Sequence, residues 1–102
     1  MSDSTQRSPN SKVGPVLKTG EIADAVIEAV RHDNPGKRFE VEDNFAYVRV
    51  QTDNECIIQR QTMEDILGRP FNMQELGVVL ASFAGQVESA TTHFRFYLNQ
   101  PR

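Results

Sequence analysis

The side chains best suited to covalent or metal chemistry in this sequence are one cysteine, Cys56, and two histidines, His32 and His93. A cysteine beside a histidine can act as a nucleophile with its base, and both residue types are common zinc ligands. Three such side chains are too few for a structural zinc site with the usual four ligands, and a single cysteine forms no disulfide within the chain. We therefore expect Cys56 to be a buried hydrophobic residue and both histidines to be exposed.

Acidic side chains occur in close pairs at Glu40 and Glu42 and at Glu64 and Asp65. General acid–base catalysis needs a carboxyl group whose pKa is shifted by burial or by a neighbouring charge. Glu40 and Glu42 fall on the polar face of a predicted strand, where carboxylates are usually solvated. The glycines also lack the clustered spacing of a phosphate-binding loop. These features predict a domain without catalytic residues, and an enzyme that uses Glu40, Glu42 or His93 is an alternative.

The composition is typical of one small globular domain. The chain has 102 residues, and its 14 acidic and 11 basic side chains give a formal net charge of −3. The basic residues are spread along the chain, whereas a nucleic-acid-binding surface needs them clustered. No apolar stretch approaches the ~18 residues of a membrane span, and the first residues lack the pattern of a secretory signal. With a single cysteine, these features predict a cytoplasmic protein that binds neither nucleic acid nor a membrane.

The hydrophobic pattern predicts an α+β domain at residues 13–102, preceded by a disordered tail at 1–12. The expected order is β-α-β-β-β-α-α-β-β, with three helices packed on one mostly antiparallel sheet. A 3.6-residue apolar period predicts the first helix at 20–33, with Thr19 as its N-cap. The predicted strands cover, in chain order, residues 13–17, 38–42, 45–51, 56–60, 83–88 and 93–98.

Short turns and capping signals complete this prediction. The second, third and fourth strands are separated by short turns, which predicts an antiparallel meander. Thr62 begins a capping-box pattern for the second helix, and Gly68 suits its left-handed C-cap. Asn72 begins a second capping-box pattern for the third helix. The inner face of that helix is predicted to contain Leu76, Val79 and Leu80.

Residues 77–86 (GVVLASFAGQ), which we call the neutral segment, fit this packing scheme only in part. The segment contains no charged side chain and is rich in small residues. Val78 falls away from the inner face of the helix, and Phe83 and Ala84 also have no assigned place in the core. An uncharged stretch of this kind is typical of a buried helix-to-strand connection or of a flat surface that contacts another protein. The residues themselves leave both interpretations open.

Seven short stretches form a pattern that spans nearly the whole predicted domain in order. The most specific are LGRPFNMQEL at 67–76 and LASFAGQ at 80–86. The others are Val13-Gly14-Pro15, Asp33-Asn34-Pro35-Gly36-Lys37, Val41-Glu42-Asp43, Ala46-Tyr47-Val48-Arg49 and Arg95-Phe96-Tyr97. This pattern resembles the effector, or coupling, proteins of bacterial multicomponent diiron monooxygenases, and most closely those of toluene and related aromatic monooxygenases.

The resemblance implies an α+β domain that is not itself an enzyme and holds neither a metal nor an organic cofactor. It implies binding to helices of the α subunit of a diiron hydroxylase, near the diiron site. Binding of this kind regulates substrate access, oxygen activation and the coupling of electron transfer to hydroxylation. The resemblance also implies a functional link to a Rieske ferredoxin and a reductase.

In this family, the stretch after the Leu-Gly-Arg-x-Phe-Asn motif faces the hydroxylase. The turn after the first helix is a further candidate contact. The implied partner-binding residues are Val78, Val79, Ala81, Ser82, Phe83, Ala84, Gly85 and Asn34. The alternative function is a small-molecule-binding α+β regulatory module.

Overall fold

The computed structural model describes residues 11–98, which form three helices and seven strands. The helices are α1 (Glu21–Asp33), α2 (Arg60–Leu67) and α3 (Met73–Val79). The strands are β1 (Lys12–Lys18), β2 (Phe39–Asn44), β3 (Tyr47–Asp53), β4 (Glu55–Gln59), β5 (Leu80–Ala84), β6 (Gln86–Ser89) and β7 (His93–Tyr97). The α+β class is confirmed, with one strand more than the sequence predicts.

The strands form two antiparallel sheets, not the single sheet that was predicted. The first sheet has the order β2-β3-β1-β5, and the second has the order β4-β7-β6. The predicted meander is wrong at its third strand, because β2 and β3 form a hairpin whereas β4 pairs with β7. Asn54, between β3 and β4, has a left-handed backbone with φ of 70°. This tight turn directs the chain out of the first sheet and into the second.

The predicted strand at 83–88 is in fact two strands, divided at Gly85. Gly85 has a positive φ of 95°, a backbone conformation that glycine adopts readily. A Cβ atom at this position would lie 2.7 Å from the carbonyl oxygen of Tyr97 and 2.7 Å from Cγ1 of Val13. Both the backbone angle and the lack of space therefore favour glycine here. Gly85 lets the chain leave β5 in the first sheet and enter β6 in the second.

The core lies between α1 and the two sheets. The apolar stripe of α1 is buried as its 3.6-residue period predicts, and Val26 and Val30 are completely enclosed. Burial of apolar surface of this kind is the main favourable contribution to folding. Buried residues of the sheets that belong to the same core include Val13, Leu17, Val48, Val50, Ile58 and Phe96.

Two of the three predicted helix starts differ from the structure. α1 begins after Gly20 and not after Thr19, and no side chain caps it. α2 begins after Gln59, and Thr62 instead donates a hydrogen bond to Asp33 (Oγ1–Oδ1 2.7 Å). The left-handed C-cap at the end of α2 and the capping box at the start of α3 are both confirmed.

Strand β1 begins at Lys12, within the predicted disordered tail at 1–12. Residues 1–10, which make up most of the predicted tail at 1–12, lie outside the described residues. The carbonyl oxygen of Ser11 accepts a hydrogen bond from the Asn54 amide (2.6 Å), and Lys12 is the first residue of β1. None of the helices between residues 11 and 98 is long and apolar enough to cross a membrane.

Candidate protein interface

The neutral segment runs from the end of α3 through β5 to the first residue of β6, and most of it lies on the surface. Val78 is 75% exposed and Phe83 is 40% exposed. Ala81 and Ser82 between them are also exposed. The segment is therefore not a buried connection. An exposed apolar patch without charge is typical of a surface that contacts another protein.

β5 is an edge of the first sheet, and among the described strands only β1 pairs with it. The outward N–H and C=O groups of an edge strand are available to other molecules. Proteins usually protect such edges with charged side chains, proline or a covering segment. β5 has the sequence LASFA and carries neither charge nor proline. A partner that covers this edge would remove an exposed feature that soluble domains generally avoid.

The inner side of the neutral segment is held by the core. Val79 and Leu80 are half-buried against it. The ring centroid of Phe83 lies 5.8 Å from that of Phe96, which in turn lies 6.1 Å from that of Phe94. Aromatic rings at these separations stabilise one another beyond the effect of burial. Contacts with the core therefore hold the segment in a fixed conformation. A partner that docks on it has to restrict little additional conformational freedom of the chain.

Asn34, the remaining predicted partner-binding residue, has a structural role. Its side chain is buried, and the residue is only 7% exposed. Nδ2 donates hydrogen bonds to the carbonyl oxygens of Val30 (2.9 Å) and Ile57 (2.8 Å), and Oδ1 accepts one from the Ile57 amide (2.9 Å). These bonds use both the donor and the acceptor of the side chain. The side chain of Asn34 therefore holds the fold together and is not exposed for contact with a partner.

The residues around Asn34 join the same elements of the fold. Oδ2 of Asp33 accepts a hydrogen bond from the Gln59 amide (2.9 Å). Nζ of Lys37 donates to the carbonyl oxygens of Asp53 (3.3 Å) and Glu55 (2.9 Å). The stretch at 33–37 therefore connects the end of α1 to β4, and its polar side chains are explained by the fold.

Cys56 and the two histidines show no arrangement suited to catalysis. Cys56 is buried in β4 as predicted, and burial raises the pKa of its thiol to about 12. The thiol is therefore protonated at neutral pH, whereas the thiolate is the reactive form. His32 is exposed as predicted. His93 is only partly exposed, and its Nε2 atom lies 3.9 Å from Oε2 of Glu88.

The paired carboxylates on β2 are exposed and lie beside cations. Glu40 forms an ion pair with Lys12, and Glu42 lies near Arg49 (Oε1–Nη1 3.7 Å). Such surface pairs leave both carboxylates solvated. In the part of the chain that the structure describes, no group of three His, Cys, Asp or Glu side chains is placed to hold a metal ion.

A groove of about 1000 Å³ opens between α3 and the turn that joins β6 to β7. Phe71, Met73 and Phe94 form apolar parts of its wall, and Val78 belongs to both the groove and the neutral segment. The sequence does not predict this groove, because its two walls come from separate parts of the chain. The groove is a surface feature beside the candidate interface.

The sequence pattern also does not predict that two aromatic residues, Phe45 and Tyr47, are exposed. Phe45 lies in the turn between β2 and β3, and Tyr47 is the first residue of β3. The pattern predicts Phe45 at the start of a strand, because aromatic residues are common in strands. The turn signal at Asp43-Asn44 is the local indication that Phe45 belongs to the connection.

Comparison with known proteins identifies relatives over most of the chain. Residues 11–97 match the MmoB/DmpM family. The chain is 42% identical over 85 residues to the effector subunit of the alkene monooxygenase system of Xanthobacter autotrophicus (strain ATCC BAA-1158 / Py2), covering 83% of this chain and 84% of that protein. It is 32% identical over 69 residues to the phenol 2-monooxygenase stimulatory component DmpM of Pseudomonas sp. (strain CF600), covering 68% and 74% respectively.

A solved structure has a similar fold. The chain resembles a chain in the structure of a phenol hydroxylase–regulatory protein complex, with a TM-score of 0.75 and 33% sequence identity. The similarity covers 86% of this chain and 99% of that chain. The family match spans all three helices, both sheets and the entire neutral segment. The chain therefore belongs to the MmoB/DmpM family.

Proposed function

We propose that this chain is the effector subunit of a multicomponent monooxygenase and that it binds the hydroxylase component through the neutral segment. Two relatives are named as an effector subunit and a stimulatory component, and the similar fold comes from a hydroxylase–regulatory protein complex. The chain supplies no reacting group and holds no cofactor. The diiron centre belongs to the hydroxylase, whose α-subunit helices near that centre form the contact.

The observation that carries this proposal is the uncharged, exposed edge formed by β5. Its side chains Ala81 and Ser82 are small, so helices of a partner can approach the backbone closely. Because the neutral segment has no charged side chain, no charge of this segment has to be desolvated on docking. The exposed part of the Phe83 ring and the exposed Val78 side chain supply apolar area to the same contact.

The proposed mechanism is a shift between conformations of the hydroxylase. An effector favours one conformation of its partner only to the extent that it binds that conformation more tightly. A tenfold preference corresponds to about 1.4 kcal/mol. Through this preference, the effector changes substrate access, oxygen activation and the coupling of electron transfer to hydroxylation at the diiron site.

Reconstitution tests the role of the chain. Purified hydroxylase, ferredoxin and reductase of the same system are assayed with and without this chain, and both product and consumed reductant are measured. We expect faster turnover and a higher ratio of product to reductant when the chain is present. Unchanged turnover and unchanged coupling would contradict the effector role.

The substrate class is the finer part of the proposal. The motif at 67–76 followed by that at 80–86 resembles the effectors of toluene and related aromatic monooxygenases. The two curated relatives carry the names of alkene and phenol systems. We propose an aromatic hydrocarbon of the toluene type as the substrate, and the reconstituted system should oxidise toluene faster than propene or phenol. Preference for propene or phenol would assign the system to another branch of the family.

The proposed link to electron transfer concerns the hydroxylase surface that the neutral segment binds. A Rieske ferredoxin that delivers electrons to the same hydroxylase surface would compete with the effector for binding. We expect excess effector to slow the reduction of the diiron centre by ferredoxin in a stopped-flow measurement. Ferredoxin reduction that is independent of effector concentration would contradict overlapping binding surfaces.

A small-molecule-binding module is the alternative, and one observation favours it. The groove between α3 and the β6–β7 turn has an apolar wall and a volume of about 1000 Å³. A ligand that fills it would raise the melting temperature of the isolated protein. A shift of the melting temperature with toluene or phenol, together with no effect on turnover in the reconstituted system, would support this alternative.

A further inference from the structure

The neutral segment is too short to form a stable protein interface alone. It contains ten residues, whereas a standard interface uses about 20–30 residues on each side. The contact must therefore continue onto a neighbouring surface. Two surfaces adjoin the segment: the groove beside Val78, and the face of the first sheet that begins at Ser82.

The face that begins at Ser82 crosses all four strands of the first sheet. Ser82 in β5 pairs with Val16 in β1, Val16 pairs with Arg49 in β3, and Arg49 pairs with Glu42 in β2. Residues directly opposite each other in antiparallel strands point to the same face of the sheet. These four side chains therefore form one row that leads from the neutral segment to the opposite edge of the sheet.

This face, which we call the open face, is free of covering helices in residues 11–98. Helix α1 packs on the other side of the sheet, where Val48 and Val50 are buried. On the open face, Glu42, Tyr47 and Arg49 are exposed. A shallow depression of about 50 Å³ on it is lined by Val16, Glu42, Asn44, Tyr47 and Arg49.

The turn at the far edge presents an aromatic ring from an unfavourable backbone conformation. Phe45 is 94% exposed and has a φ of 63°, in the left-handed region that bulky residues rarely adopt. The amide of Phe45 donates to Oδ1 of Asp43 (3.2 Å), and the carbonyl oxygen of Ala46 accepts from the Thr19 amide (3.0 Å). An exposed ring on a strained turn contributes little to the folding of the free domain. Strain of this kind is concentrated at functional positions.

We propose that the hydroxylase contact continues from the neutral segment across the open face to Phe45, whose ring enters an apolar pocket of the hydroxylase. This inference rests on the proposed function, since it takes the hydroxylase as the partner. Within the row, the cation of Arg49 already lies beside the carboxylate of Glu42 (3.7 Å), so docking leaves neither charge without a partner. Tyr47 supplies a second exposed ring between Phe45 and the row.

The test measures binding of the full chain to the hydroxylase of the same monooxygenase system by isothermal titration calorimetry. Phe45→Ala and Phe45→Asn should each raise the Kd at least tenfold, because a buried aromatic contact is lost. Asparagine adopts positive φ angles more easily than phenylalanine. Phe45→Asn should therefore raise the melting temperature of the free chain while it weakens binding. Ile66→Ala, which removes an exposed apolar side chain from α2, is the matched control and should bind as the wild type does.

The possible outcomes separate this inference from the proposed function. An unchanged Kd for both Phe45 variants overturns the inference, and the proposed function still stands if Ser82→Arg weakens binding. Ser89→Arg changes a residue in the wall of the groove. If this variant binds the hydroxylase weakly while Phe45→Ala binds normally, the contact continues over the groove and the inference is overturned. An equal rise in Kd for Ile66→Ala and Phe45→Ala overturns the inference as well, because the effect would then not be specific to the Phe45 ring. Wild-type chain that does not bind the hydroxylase contradicts the proposed function and the inference together.

Discussion

Asn34 and Ile57 exchange two hydrogen bonds: Nδ2 of Asn34 donates to the Ile57 carbonyl oxygen at 2.8 Å, and the Ile57 amide donates to Oδ1 of Asn34 at 2.9 Å. The side-chain amide takes the place that a neighbouring strand would have beside β4, which is an edge of the second sheet. A third bond, from Nδ2 to the Val30 carbonyl oxygen, ties the same side chain to the last turn of α1. One asparagine thus fixes the helix that covers the first sheet against the edge of the second.

Loss of this connection should destabilise the domain. Asn34→Ala leaves the N–H and C=O groups of Ile57 without their partner, and each unsatisfied buried group costs about 1–3 kcal/mol. We expect the free energy of unfolding in urea to fall by about 2–3 kcal/mol. Gln74→Ala, which removes an exposed amide from α3, is the control and should change the free energy of unfolding by less than about 0.5 kcal/mol. Equal effects of the two substitutions would contradict the structural role of Asn34.

The proposed position of the hydroxylase contact can be tested by adding a charge to the neutral segment. Ser82 is exposed, so Ser82→Arg should leave the melting temperature of the free chain nearly unchanged. In the complex, the guanidinium would be trapped at a close contact, and the Kd for the hydroxylase should rise by at least about tenfold. His32→Arg adds a charge at the exposed end of α1 as a control. Normal stimulation of turnover by Ser82→Arg at limiting concentration would place the contact elsewhere.

Two glycines of the neutral segment should respond to alanine in opposite directions. Gly85→Ala brings a Cβ to within 2.7 Å of a backbone oxygen at a φ of 95°, so we expect the free energy of unfolding to fall by more than about 2 kcal/mol. Gly77 lies in α3, and nothing lies within 4 Å of a Cβ built there. Gly77→Ala should raise the free energy of unfolding by about 0.5–1 kcal/mol through higher helix propensity. Urea unfolding measures both, and a stable Gly85→Ala variant would contradict the tight passage between the sheets.

The raised pKa of the Cys56 thiol predicts that the folded domain loses stability at alkaline pH. Burial raises its pKa from the ordinary value of 9.0 to about 12, so the folded chain keeps the thiol proton after the unfolded chain has lost it. Between about pH 9 and pH 12, the free energy of unfolding should therefore fall as pH rises, by up to about 1.4 kcal/mol per pH unit. Below that window the contribution is constant.

Cys56→Ala serves as the reference for this pH dependence. The variant should be less stable than the wild type at neutral pH, because it leaves a small cavity in the core. Its stability should decline less steeply between pH 9 and pH 10.5, since the titrating thiol is gone. Parallel curves for the wild type and the variant over that range would show that the buried thiol does not control the alkaline slope.

Features that depend on residues within one or two turns of each other were predictable from the sequence. The apolar period of α1 places Val26 and Val30 in the core, because a helix returns to the same face every 3.6 residues. Gly68 ends α2 and Asn72 begins α3, since capping hydrogen bonds connect positions only a few residues apart. The uncharged character of the neutral segment follows from its composition, and its family resemblance follows from the order of its residues.

The tertiary structure alone decided how these pieces combine. Asn34 bonds to a residue 23 positions away and Thr62 to one 29 positions away. The family resemblance implies a partner contact for Asn34, and the local pattern predicts a helix cap at Thr62, because neither carries information about bonds between distant parts of the chain. Gly85 divides one predicted strand between two sheets, because the space around it is set by β1 and β7 together. The exposure of the neutral segment has the same origin. An uncharged stretch suits a core or a surface equally well, and only the packing of the other elements determines which side of it remains open to a partner.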